Sequence, residues 1–232
     1  MDFSIRSYKK EFLDRDDIPF DAIKRNMEEL NFINAHLGGH SVTIMGLREL
    51  LSTSKDISVC EIGCGGGDNL LAIKKWCTKK KIKVKLMGID INASCITLAK
   101  TTLDQSNHQL IHADYKSVNF QNDKPDIIFS SLFCHHFTDE EMVFMLRWMM
   151  KNSGTGIFIN DLHRHPVAYY SIKLLTKIFS RSYLVRNDAP LSVLRGFTKK
   201  DWRLLLDEAN CKNYDLHWRW AFRWLLVIKH LI

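Results

Sequence analysis

The stretch VCEIGCGGGDNLL, Val59 to Leu71, sets four glycines within five residues directly after a short apolar run that ends in an acid. A chain bare of side chains lets a ligand approach the backbone and allows positive φ at Gly63, Gly65 and Gly67. A strand, a glycine-rich turn and a helix form the layout that cradles phosphate, so a dinucleotide-binding turn is the first candidate. That turn requires glycine at its first, third and sixth positions, and here the sixth is Asp68, with Glu61 two residues before the first. A carboxylate at each end repels a pyrophosphate. No Lys-Ser or Lys-Thr follows the loop, so the Walker cradle fails as well. The remaining pattern, E-x-G-x-G-x-G, suits a ligand without phosphate that carries positive charge, with Glu61 favouring an ammonium or sulfonium neighbour.

The elements that must hold this loop follow from the patterning around it. From Ile57 the chain alternates strand-like and helix-like segments, which predicts a parallel sheet with helices on both faces. Strands are expected at ISVCEIG, KVKLMGID, HQLIHAD, PDIIFSS and GTGIFIND, with helices between them at GDNLLAIKKWCTKK, at NASCITLAKTTLD after an Asn92 N-cap, and after Thr138. Thr138 and Glu141 form a capping box, and Met142, Met145, Leu146 and Met149 then make one apolar helix face, read as core. Between Leu162 and Gly196 the alternation stops, and an insertion with one helix, Pro166 to Phe179, is expected over the sheet. A last helix capped by Thr198 and two strands from Asn213 to Lys229, turning between Trp218 and Arg223, complete the chain. Before Ile57 the pattern is helical from Asp21 to His36 and from Ser41 to Leu51, with a break at Gly38 and Gly39.

With 232 residues, 46% hydrophobic and 25% charged, the chain has room for one α/β domain with a sizeable core. Its parts are an N-terminal helical lid (1–55), a ligand-binding half (56–161), a substrate lid (162–197) and a C-terminal helix and strands (198–232). No apolar run reaches the roughly 18 to 20 residues of a membrane span. The start, MDFSIRSYKKEF, has no signal-peptide core, so a cytoplasmic location is expected. Six cysteines without a CxxC pair or histidines at zinc spacing read as reduced and buried, and no metal site is expected. The net charge of +7 is densest at Lys74 to Lys85, a run better read as a helix end and strand flank than as a nucleic-acid patch.

On these residues the sequence resembles class I S-adenosylmethionine-dependent methyltransferases from about Ile57 to Asp161. The resemblance implies a Rossmann-like, seven-stranded, mostly parallel sheet with helices on both faces, and S-adenosylmethionine as cofactor, leaving S-adenosylhomocysteine. It assigns Glu61, Gly63, Cys64, Gly65 and Gly67 to the cofactor loop. Asp90, ending the second strand, would accept both ribose hydroxyls, with Ile91 on the adenine face. Asp114 would accept the adenine amino group, with Tyr115 beside it. SSLFCHHF, which contains Ser131, is similar to the segment that passes beneath the methionine part.

The acceptor has to be inferred from the lids, because attack on a sulfonium methyl asks mainly for alignment, exclusion of water and a nucleophilic oxygen or carbon. Nucleic-acid amino methyltransferases carry Asn/Asp-Pro-Pro-aromatic after the fourth strand, and SLFCHHF stands there instead. The paired-glutamate loop of protein arginine methyltransferases is also missing. FINDLHRHP puts Asp161, His163, Arg164 and His165 at the end of the fifth strand, and His163 or His165 is a candidate general base, with His135 and His136 as alternatives. The insertion mixes Tyr169, Tyr170, Leu174, Leu175, Ile178 and Phe179 with Lys173, Lys177, Arg181 and Arg186, an apolar face with a basic rim suited to a greasy substrate presented from a membrane, by peripheral contact, or from a carrier. Together with FINAHLGGH, the insertion looks like bacterial methyltransferases associated with polyketide or alkylquinone biosynthesis. That implies methyl transfer to oxygen or carbon of a hydrophobic, phenolic or quinol-like small molecule. An RNA methyltransferase, a non-catalytic cofactor-binding protein and a homodimer through Arg203 to Ile232 remain open.

Overall fold

The computed structural model describes residues 2–15, 17–51, 56–103, 108–121 and 123–230. Seven strands form one sheet: β1 (Asp56–Ile62), β2 (Lys83–Asp90), β3 (His108–His112), β4 (Ile127–Ser131), β5 (Gly156–Leu162), β6 (Tyr214–Arg219) and β7 (Arg223–Lys229). Their order is β3-β2-β1-β4-β5-β7-β6. The first five run parallel, and β7 is antiparallel to both β5 and β6. The order reverses between β1 and β4, so the crevice at their carboxyl ends is where an open α/β sheet binds a ligand.

The helices are α1 (Phe20–His36), α2 (Gly39–Leu50), α3 (Asp68–Lys80), α4 (Ala93–Thr102), α5 (Asp139–Asn152), α6 (Pro166–Phe179), α7 (Tyr183–Arg195) and α8 (Lys199–Glu208). The central strands are apolar on both faces, and the pleat divides their side chains by period two. Val59, Ile127, Phe129, Phe158, Leu225 and Val227 pack with Leu47 of α2 and Leu70 and Ile73 of α3. Cys60, Ile62, Ile128, Ile157, Ile159 and Leu226 face the other way, with Met142, Met145, Leu146 and Met149 of α5 and Trp202 of α8. The methionine stripe is core. Thr138 and Glu141 make the expected capping box, and Asn92 caps α4, whose expected last residue, Asp104, lies outside the described residues.

Two elements depart from expectation. The N-terminal segment does not act as one unit: α1 lies over the crevice, whereas α2 covers the sheet, with Gly46 so close that a Cβ there would stand 2.5 Å from the Phe158 ring. The insertion holds a second helix, α7, which continues through Pro190. Proline removes a helical hydrogen bond. Tertiary contacts compensate, because the buried Asp188 carboxylate accepts from the backbone N–H groups of Phe12 (2.8 Å) and Leu13 (3.0 Å). This ties α7 to an N-terminal strap that ends in a short 3-10 turn, Phe12–Asp14.

Candidate active site

The strand ends open into a cavity of about 800 Å³, walled by the loop after β1, the ends of β2 and β4, and residues of α1, α6 and α7. At Gly63 the backbone is left-handed, with φ +69°, and a Cβ would enter the Phe133 ring at 2.3 Å. No other residue type fits there. Gly65 is also left-handed (φ +50°), and its N–H donates to Asp90 Oδ2 at 2.8 Å, fastening the loop to the end of β2. Asp90 Oδ1 accepts from the Asn92 N–H at 2.8 Å. Gly67 caps α3, and the buried Cys64 lies in the bend between them.

Glu61 is 1% exposed, and its Oε2 has no hydrogen-bond partner among the described residues. Burial raises its carboxyl well above the usual range, and the nearby Asp68 and Asp90 add to the rise. Burial likewise raises Asp90. Several acids converging on a bare backbone cradle make a place prepared for a cation and hostile to phosphate. The residues therefore fit a sulfonium-bearing cofactor with a free amino group.

The other expected positions are arranged along the same wall. Ile91, 66% exposed, borders the cavity, as do Asp114 and Ser131. Asp114 caps a short turn, accepting from the Lys116 N–H at 3.0 Å. The Ser131 hydroxyl accepts from Asn160 Nδ2 at 3.1 Å. Tyr115 touches the cavity, but its ring belongs to the core, set edge-on to Trp148 and Phe137.

His163 and His165 are not brought to the cavity. His163 Nδ1 accepts from Trp218 Nε1 at 3.2 Å, and its ring lies against Trp224. Burial lowers its pKa to about 4, helped by His165 and Arg164. His165 Nδ1 caps α6 by accepting from the Val167 N–H, and its ring stacks on Phe222. Arg164 is also structural, donating to the carbonyls of Phe3 and Gly196. The end of β5 turns outward there, leaving only Leu162 of that stretch on the cavity.

The histidines that do reach the cavity are His135 and His136, on a short 3-10 turn, Cys134–His136, after β4. His135 Nδ1 is 2.8 Å from Asp161 Oδ1, and His136 Nδ1 is 2.9 Å from Asp14 Oδ1. Two arginines clamp the turn. Arg195 donates to the carbonyls of His135 (3.0 Å) and His136 (2.7 Å), and Arg6 donates to those of His135 (3.2 Å) and Phe137 (2.8 Å). Glu11, Asp14 and the two arginines gave no local sequence signal, since their partners are remote in the chain.

Arg223 was also missed. It is buried at the cavity wall; its Nη2 donates to Asn34 Oδ1 at 3.2 Å, while Nε and Nη1 have no partner among the described residues. Burial lowers it to about 10, against the opposing pull of Asp161 and Asp68.

Residues 59–156 match the protein family described as a methyltransferase domain. Among solved structures, the plantazolicin methyltransferase BpumL, in complex with a triazolic desmethylPZN analog and SAH, superposes with a TM-score of 0.67 at 17% identity, over 95% of this chain and 93% of that one. An O-methyltransferase family 2 protein from Planctomyces limnophilus, in complex with apigenin, gives 0.64 at 13% identity, over 93% of this chain and 63% of that one. Human N-acetylserotonin methyltransferase, in complex with SAM, gives 0.61 at 18% identity, over 91% and 56%. This chain thus spans less than two thirds of the length of the last two. Residues 59–156 thus carry a methyltransferase domain, in a fold that the chain shares with methyltransferases solved in complex with SAM or SAH.

Proposed function

We propose that the chain transfers the methyl group of S-adenosylmethionine to oxygen of a hydroxylated, hydrophobic small molecule of the phenol or quinol type. The observation that carries this reading is the second half of the cavity. Beyond the cofactor loop its wall includes Leu30, Ile33, Ile172, Leu175 and Phe222, with the His135–His136 pair beside Phe133 among its polar groups. A greasy ring with one hydroxyl matches that division. The O-methyltransferase family 2 protein solved with apigenin and N-acetylserotonin methyltransferase, which share the fold, are consistent with it. We assign activation of the acceptor hydroxyl to His135 and His136 rather than to His163 and His165, because the first pair borders the cavity and the second does not.

An RNA acceptor is disfavoured by the position of the basic run. Lys79 and Lys80 end α3 and Lys83 starts β2, at the amino edge of the parallel strands and away from the cavity. The α6 face, with Tyr170, Leu174, Ile178 and Phe179 exposed beside basic residues, supports contact with an anionic membrane from which such an acceptor is drawn. A homodimer through Arg203 to Ile232 is a further expectation, tested by light scattering.

The test is transfer from labelled S-adenosylmethionine to a panel of alkylated phenols and quinols, with bulk RNA as a second arm. Formation of S-adenosylhomocysteine with an O-methylated phenol is the expected result. Label found only in RNA, or a methyl placed on ring carbon, would replace this reading; donor binding without turnover on any arm would favour a non-catalytic role.

A further inference from the structure

The expectation of no metal site rested on cysteine and histidine spacing, which cannot detect ligands brought together by tertiary contact. One ligand atom each from Glu11, His135 and His136 lies within 4.8 Å of the others, on the cavity wall. Both Nδ1 atoms face carboxylates at 2.8 and 2.9 Å, and an ionised carboxylate only accepts, so Nδ1 carries the proton in each ring. Both Nε2 atoms then direct their remaining valence at Glu11. They stand 3.6 Å (His135) and 3.7 Å (His136) from its two oxygens. Those separations exceed a hydrogen bond, so a proton on Nε2 is not what holds the three groups together. Two imidazole lone pairs facing a buried carboxylate repel one another unless a cation lies between them.

We propose that Glu11, His135 and His136 bind one divalent transition-metal cation of the zinc type, with its open position directed at the acceptor hydroxyl. Ligands 2.0–2.1 Å from a tetrahedral ion stand roughly 3.3 Å apart, a few tenths of an ångström less than the 3.6 and 3.7 Å between the ring nitrogens and the Glu11 oxygens. Asp161 behind His135 and Asp14 behind His136 supply the carboxylate–histidine–metal arrangement that fixes tautomer and ring orientation. Ser192 donates to Glu11 Oε1 at 2.7 Å and orients the third ligand. Three protein ligands with a fourth place open is the layout of a catalytic rather than a structural zinc site. Two imidazoles exclude a magnesium preference.

The inference rests on the hydroxyl-acceptor reading and specifies how that hydroxyl becomes a nucleophile. On binding the cation, the hydroxyl releases its proton to bulk water. The oxygen then forms the bond to the methyl carbon while the carbon–sulfur bond breaks. That electron pair stays on sulfur, giving neutral S-adenosylhomocysteine and the methyl ether.

The test strips the full-length protein with chelator and titrates it with Co2+, whose visible bands report nitrogen and oxygen ligation, then with Zn2+ in competition. S-adenosylhomocysteine binding is measured calorimetrically on the same samples. One cation per chain is expected, no competition by Mg2+, and about 100-fold weaker binding in Glu11→Gln and in His136→Gln. S-adenosylhomocysteine affinity should stay within twofold of wild type in both. Wild-type protein that binds no stoichiometric Co2+, or variants that bind it as wild type does, would overturn the proposal. The wild-type titration decides the matter even if a variant fails to fold. Metal bound with no methylation of any phenol leaves the site standing and removes the acceptor reading; phenol methylation in metal-free protein does the reverse.

Discussion

Glu61 is a carboxyl group with almost no exposure, one unpartnered oxygen, and Asp68 and Asp90 near it. Such a group costs the fold and is retained for what it binds. Glu61→Gln keeps the shape and removes the charge, so its unfolding temperature should equal or exceed that of wild type. Donor affinity should fall about 10- to 100-fold, the range of one charged hydrogen bond. Calorimetry with S-adenosylmethionine that gave affinity within twofold of wild type would remove the charge from the account. His163 makes a different prediction. Its folded pKa of about 4 lies below the 6.5 of the unfolded chain, so between those values the unfolded state takes up a proton that the folded state refuses. Stability therefore falls as pH drops from about 6.5 to about 4 and is untouched above it. For a half-buried ring the loss is on the order of 1–2 kcal/mol. Urea unfolding of His163→Gln across that window should show a flatter profile than wild type; an unchanged slope would show that the ring is not the titrating group.

At the scale of elements, legibility followed the range of the forces involved. The glycine loop, the Thr138 capping box and the Asn92 and Thr198 N-caps are local, and they were readable because each motif lies within a few residues. α7 was not readable: Pro190 signals a break, and among the contacts that hold the helix are the bonds that the distant Phe12 and Leu13 N–H groups donate to the buried Asp188. The same bonds position Glu11, the residue just before. Asp188→Ala should cost about 1–3 kcal/mol and leave two backbone donors without partners. Hydrogen exchange at Phe12 and Leu13 should rise with it, and protection equal to wild type would show that the strap is held by other contacts. α2 was read as a helix, but its place on the sheet was not, since that place depends on Gly46 meeting Phe158 across long sequence separation. Gly46→Ala should destabilise by about 2–3 kcal/mol through overpacking, read by denaturant titration.

For the whole molecule, the sheet sets the direction in which the chemistry faces. Cofactor loop, acceptor half and histidine pair all lie at the carboxyl ends of the parallel strands, and the lid helices α1, α6 and α7 close over that end. α6 has two faces there: Ala168, Ser171, Ile172 and Leu175 line the cavity, while Tyr170, Leu174 and Ile178 form an outward stripe at helical spacing. Lys173, Lys177, Arg181 and Arg186 flank that stripe, within a chain of net charge +7. An amphipathic face of this kind gains from apolar insertion and from attraction to anionic headgroups together. The protein should therefore sediment with vesicles containing phosphatidylglycerol, less so with neutral vesicles, and release as salt rises. Leu174→Asp with Ile178→Asp should abolish sedimentation while leaving donor affinity unchanged, because neither side chain borders the cavity. Equal binding by the double variant would separate the outer face of α6 from any membrane role and leave delivery of a hydrophobic acceptor to the cavity mouth alone.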